Sequence, residues 1–67
     1  MASVALLWEG GDGKLYRLSR ADIFAANACA LDRYLQQREA GASDESAKAA
    51  SIKALQDYTR AVGIVDN

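Results

Sequence analysis

The residues whose types and spacing most resemble a ligand-binding motif lie in the stretch EGGDGKL, where three glycines precede Lys14. A phosphate-binding P-loop requires a glycine, four further residues and then Gly-Lys-Ser/Thr, between a strand and a helix. Trp8 occupies the place of that first glycine, and Leu15 replaces the hydroxyl residue. A strand-like segment, not a helical one, follows. The stretch is therefore predicted to be the turn of a β-hairpin.

The sequence also lacks residues that a nucleophilic active site or a zinc site would require. The chain has no histidine, so its serine and threonine hydroxyls have no imidazole base. Its single cysteine, Cys29, excludes an internal disulfide and provides no zinc-ligand spacing. Cys29 is flanked by alanines and is interpreted as a small filler between helices. We expect a protein that is not an enzyme and that holds no cofactor and no metal.

The charge balance narrows the class of partner. Eight Lys and Arg side chains against nine Asp and Glu give a net charge of −1, which argues against a nucleic-acid-binding regulator because such proteins need a concentrated basic face. No apolar run approaches the ~20 residues of a membrane span, and the N-terminus lacks the positive flank of a signal peptide. We expect a cytoplasmic protein with no membrane partner.

The glycine-rich turn separates two strand-like runs, SVALLWE and KLYRLS. A four-residue loop over 10–13 would place Glu9 opposite Lys14 and Trp8 opposite Leu15, which pairs opposite charges and apolar side chains. A two-residue turn at Asp12 and Gly13 is the alternative, but it would place apolar side chains opposite polar ones and leave more apolar surface unpaired. In the favoured register one face of the hairpin carries Val4, Leu6 and Trp8, and the other carries Ala5, Leu7, Tyr16 and Leu18.

Two helices are predicted after the hairpin, over 20–40 and 44–62. Ser19 and Ser43 are suitable N-caps, and Gly41 is suited to end the first helix in a left-handed conformation. Gly63 is expected to end the second helix with Ile64 folding back, as in a Schellman motif. Apolar residues of the first helix recur at three- and four-residue spacing and predict one buried stripe: Ile23, Phe24, Ala28, Leu31, Tyr34 and Leu35.

These elements predict an α+β fold of ββαα order, in one small domain over 1–67 with the hairpin at 3–19. The short link between the helices makes them antiparallel neighbours, with an alanine-rich seam between them. Tyr34 and Tyr58 lie on or beside the core stripes, so they are either core residues with a hydrated hydroxyl or binding residues.

Chain length then raises the question of stability. A chain of 67 residues buries about 60% of its unfolded surface, which contributes about 95 kcal/mol of hydrophobic stabilisation. Ordering the chain costs about 100 kcal/mol. Because the two nearly cancel, and no disulfide or metal is expected, oligomerisation or regular helix packing must supply the remainder.

The helices can cover only one face of the hairpin, and we expect Val4, Leu6 and Trp8 to point away from them. Both edges of the hairpin are expected to be free to pair with another strand. An exposed apolar face is typical of an interface. We therefore predict a homodimeric protein–protein interaction module that acts as an adaptor, inhibitor or accessory subunit of a larger protein. The candidate partner-binding residues are Val4, Leu6, Trp8, Leu15 and Arg17.

A structural role in a phage-like assembly is the alternative. The hairpin-then-helix order over 4–37 resembles the hairpin and second helix of small phage head–tail joining proteins, through hydrophobic spacing. The resemblance covers about half of the chain; the leading helix of that family is missing, and a trailing helix is present instead. It implies a connector or head-completion piece of phage or bacterial origin.

Overall fold

The computed structural model describes residues 6–66. Two strands, two helices and a short third strand follow one another along the chain: β1 Leu6–Glu9, β2 Leu15–Leu18, α1 Arg20–Glu39, α2 Asp44–Val62 and β3 Ile64–Val65. The predicted ββαα arrangement of an α+β fold is confirmed. The third strand was not predicted.

Both helices begin, and α1 ends, through the local hydrogen bonds that the sequence predicts. Ser19 accepts a hydrogen bond from the N–H of Asp22 at 3.2 Å, and Ser43 accepts one from the N–H of Ser46 at 3.1 Å, so each serine caps its helix. Gly41 has φ +93°. Its N–H and that of the next residue donate to carbonyls of the last turn of α1, which gives the Schellman arrangement.

The hairpin register differs from the prediction by one residue. Trp8 pairs with Tyr16 and Glu9 pairs with Leu15, so the loop contains five residues, 10–14, and the predicted pairing of Trp8 with Leu15 is wrong. A shift of one residue moves side chains to the other face of a strand. Trp8 and Leu6 therefore share a face with Tyr16, and Leu7 lies on the opposite one.

Asp12 explains the longer loop. Its carboxylate accepts the backbone N–H of Lys14 at 3.1 Å and the hydroxyl of Tyr16 at 2.5 Å. These two bonds draw Lys14 into the loop and away from the predicted pair with Glu9. Turn chemistry of this kind is local, but the hydroxyl belongs to a buried side chain.

The end of α2 also departs from the prediction. Gly63 has φ −75° and ψ 157°, which is an extended conformation, so the expected Schellman ending at Gly63 is wrong. The chain continues as β3, in which Ile64 pairs with Arg17 and Val65 pairs with Tyr16. One edge of the hairpin is thereby covered, whereas the sequence predicts that both edges are free.

The buried positions of the two helices are occupied by small side chains. Ala26 and Ala47 are buried, and the buried Thr59 donates its hydroxyl to the carbonyl of Leu55 at 2.8 Å. Trp8 and Leu18 of the sheet meet both helices at a junction lined by Ile23, Ala26, Asn27, Leu55 and Thr59. The prediction that Trp8 points away from the core is therefore wrong.

The residues that α1 buries also differ from the predicted stripe. Ile23 and Tyr34 are half-buried as expected, and Ala26 lies in the core. Phe24, however, is 66% exposed and Leu31 is 59% exposed. The helix thus carries two apolar sides, and the one with the larger side chains faces outward.

Candidate partner-binding surface

The sheet face turned away from the helices carries a group of exposed apolar side chains around one arginine. Arg17 stands between Leu7 of β1 and Ile64 of β3, because it pairs with both. Leu15 lies two residues before it on the same face of β2. Side chains directly opposite in a sheet stand about 5 Å apart, so these four residues, the outer sheet surface, are neighbours.

The apolar members of this surface are accessible to a partner. Leu7 and Leu15 are each about half exposed, and Ile64 is 73% exposed. A contiguous group of apolar side chains of this kind is typical of interaction sites. Its position on three hydrogen-bonded strands also means that the backbone holds the side chains at fixed spacing.

Arg17 provides the charge at the centre of this surface. Its guanidinium donates to the carboxylate of Asp66 at 2.6 Å, and the Arg17 side chain remains 60% exposed. An exposed pair of this kind adds little stability. Its effect is to orient the guanidinium and leave donors for a partner carboxylate.

The predicted binding residues fall into three groups. Leu15 and Arg17 lie together on the outer sheet surface, and their role in binding stays a prediction. Leu6 and Trp8 lie on the inner face, where Trp8 is half-buried against the helices. Val4 lies outside the described residues.

Two members of the outer sheet surface were missed by the sequence analysis. Leu7 was assigned to the core face because the predicted register was one residue out. Ile64 was assigned to a helix stop, although Ile64 and Val65 are both β-branched and follow a glycine, which is a short strand signal.

The loop beside this surface is tied to α2. Arg60 donates one guanidinium N–H to the carbonyl of Gly10 and another to the carboxylate of Asp57. The hydrogen bond from Tyr16 lowers the pKa of Asp12 below its ordinary value, and the same bond raises the pKa of the Tyr16 hydroxyl. These contacts fix the hairpin on the end of the helical pair.

A second feature is an open groove between the helices, and most of its residues are polar: Cys29, Asp32, Arg33, Gln36, Ala54, Asp57 and Tyr58. Cys29 is exposed, so its interpretation as a filler between the helices is wrong. Tyr58 is half-buried. Across residues 6–66 there is no group of three or more His, Cys, Asp or Glu that could hold a metal ion.

No helix in the described part of the chain combines the length and apolar content needed to cross a membrane. Comparison with protein-family models, with curated proteins and with solved structures finds no match to this chain. The resemblance to phage head–tail joining proteins therefore gains no support from these comparisons and stays a prediction.

Proposed function

We propose that this chain is a non-catalytic protein–protein interaction module of the cytoplasm. It binds a larger protein as an adaptor, inhibitor or accessory subunit, and it works as a homodimer. The observation that supports this most strongly is the outer sheet surface, in which Leu7, Leu15 and Ile64 are exposed around Arg17.

The chemistry of this surface specifies the kind of partner. Apolar side chains of the partner would cover the two leucines and the isoleucine, and removal of that area from water would provide the binding energy. A carboxylate of the partner would meet the exposed guanidinium of Arg17. Charged groups of this kind contribute to orientation and specificity more than to affinity.

Affinity capture from the native host, with the purified chain as bait, tests the proposal. Leu15→Asp places a charge in the outer sheet surface, and Ile52→Asp is the matched control because Ile52 is 55% exposed on α2. We expect one protein to bind the wild type and the control and to be lost with Leu15→Asp. Binding of the purified pair, measured by calorimetry, should weaken at least about 30-fold with Leu15→Asp.

Three results would contradict this function. Retention of the partner by a folded Leu15→Asp variant would exclude the outer sheet surface, and a salt-dependent shift of duplex DNA would favour a nucleic-acid-binding regulator instead. A ring-sized oligomer in sedimentation would favour the phage-like assembly component.

A further inference from the structure

Helix α1 carries a row of exposed residues at alternating spacings of four and three: Phe24, Ala28, Leu31 and Leu35. Phe24 is 66% exposed, Leu31 59% and Leu35 48%. This spacing is that of the a and d positions of a coiled coil. The row, the α1 seam, lies beside the side of α1 that packs on the sheet and on α2.

We infer that the α1 seam binds the α1 seam of a second copy of the chain, with the two helices antiparallel. The inference deepens the homodimer of the proposed function and rests on it. It assigns self-association to α1 and leaves the outer sheet surface for the larger protein.

The spacing of the seam is self-complementary. In an antiparallel pair about a two-fold axis through the middle of α1, Phe24 meets the partner's Leu35 and Ala28 meets the partner's Leu31. Each contact then joins a larger side chain to a smaller one. Because the axis relates the two copies, each of these contacts occurs twice, as an isologous interface requires.

The charges at the ends of α1 favour the antiparallel direction. Arg20 is the first residue of the helix and Glu39 is the last, so the same axis places Arg20 beside the partner's Glu39. Neither residue has a salt bridge within 6–66. The Arg20 guanidinium lies 5.8 Å from the Phe24 ring centroid, next to the seam. A parallel pair would instead align like charges, which is destabilising.

Sedimentation velocity over a micromolar concentration range tests the seam. We expect the wild type to dimerise weakly, because a contact between two single helices lies at the small end of interface sizes. Leu31→Asp should raise the dissociation constant at least about 100-fold, since two charges would be buried. Arg33→Glu is the control and should not change it. A monomeric wild type, or a dimer that Leu31→Asp leaves intact, would overturn the inference.

Charge exchange tests the direction. Arg20→Glu and Glu39→Arg should each weaken the dimer about 10-fold, because each variant creates two like-charge contacts. The double variant should restore wild-type affinity. A parallel dimer would show neither the loss nor the rescue, and that result would overturn the antiparallel arrangement.

The same variants separate this inference from the proposed function. Capture of the larger protein by Leu31→Asp, with the dimer lost, supports two distinct surfaces. Capture that disappears with Leu31→Asp as completely as with Leu15→Asp would overturn the division of roles. An intact dimer without any partner bound through the outer sheet surface would contradict the proposed function and leave the seam standing.

Discussion

Alternate residues of β2 have opposite environments. Leu18 is 2% exposed and packs at the junction with both helices, whereas Leu15, on the same strand, is 47% exposed. Tyr16 lies on the inner face together with Leu18, and Arg17 lies on the outer face together with Leu15. The same residue type thus serves folding on one face and is available for binding on the other, and the two-residue period of the strand determines which.

Truncation of the two leucines, one at a time, should show the largest difference between the two faces of β2. Leu18→Ala removes buried methyl groups and should lower the free energy of unfolding by about 3 kcal/mol. Leu15→Ala should lower it by less than about 0.5 kcal/mol. Urea denaturation of both variants measures the difference. Equal losses would show that the two faces are not distinct.

Two glycines differ in the same way, because the inner face of the sheet requires close approach of the chain and the link between the helices does not. A Cβ at Gly63 would lie 2.6 Å from the carbonyl oxygen of Thr59 and 2.8 Å from the Cβ of Tyr16. A Cβ at Gly41 would meet nothing within 4 Å, but the residue has a positive φ. Space restricts the first position, and backbone conformation restricts the second.

We expect Gly63→Ala to lower the free energy of unfolding by about 2 kcal/mol, through overpacking. Gly41→Ala should cost about 1 kcal/mol. Asparagine discriminates the two causes, because it tolerates the left-handed region: Gly41→Asn should recover part of the loss, and Gly63→Asn should not. Thermal or urea unfolding measures all four variants, and recovery at position 63 would refute the steric explanation.

The smallest expected effect concerns the hydroxyl of Tyr16 on the inner face. Its bond to Asp12 lowers the pKa of that carboxyl. A similar bond from Tyr34, followed by one from Lys48, lowers the pKa of Asp44. A carboxyl with a lowered pKa stabilises the fold above its unfolded value of about 3.9, and that contribution is lost as the pH falls through the folded value.

Tyr16→Phe should therefore raise the pKa of Asp12 toward its ordinary value and leave the titration of Asp44 unchanged. Tyr34→Phe should do the reverse. Titration of the carboxyl carbons by NMR measures both. If either variant changes the pKa values of Asp12 and Asp44 equally, the two tyrosine–carboxyl pairs are coupled, and separate causes for the two lowered pKa values are excluded.

Local sequence was sufficient for the starts of both helices and for the end of α1. Ser19 and Ser43 each accept an N–H three residues later, so the information that begins each helix lies within one turn of it. The link between the helices is equally local, because Gly41 supplies the one positive φ that it needs.

The buried side of α1 could not be found in the same way. Ile23 and Phe24 are adjacent, and apolar residues follow both of them at helical spacing. The spacing alone does not show which row is buried. The structure selects the side that contains Ala26, because small side chains let α1 approach its neighbours closely, and the bulky Phe24 and Leu31 stay outside.

The outer sheet surface was predicted only in part for a related reason. Leu15 and Arg17 were identified because their strand was correctly placed. Leu7 was predicted on the opposite face because the predicted register was wrong by one residue. Ile64 belongs to the surface only because the chain returns from α2 to pair with β2. Nothing near Ile64 in the sequence reports that pairing.

The starts of both helices, the end of α1 and the glycine-rich turn between two strands can thus be read from the residues alone, because caps and turns are hydrogen bonds between residues a few positions apart. Which faces are buried depends instead on tertiary packing. Besides its local bond to Asp12, Tyr16 packs closely against Gly63 and pairs with Val65, and both of these residues are far from it along the chain. A register that depends on such distant contacts changes the face of every side chain in β1 when it shifts by one residue.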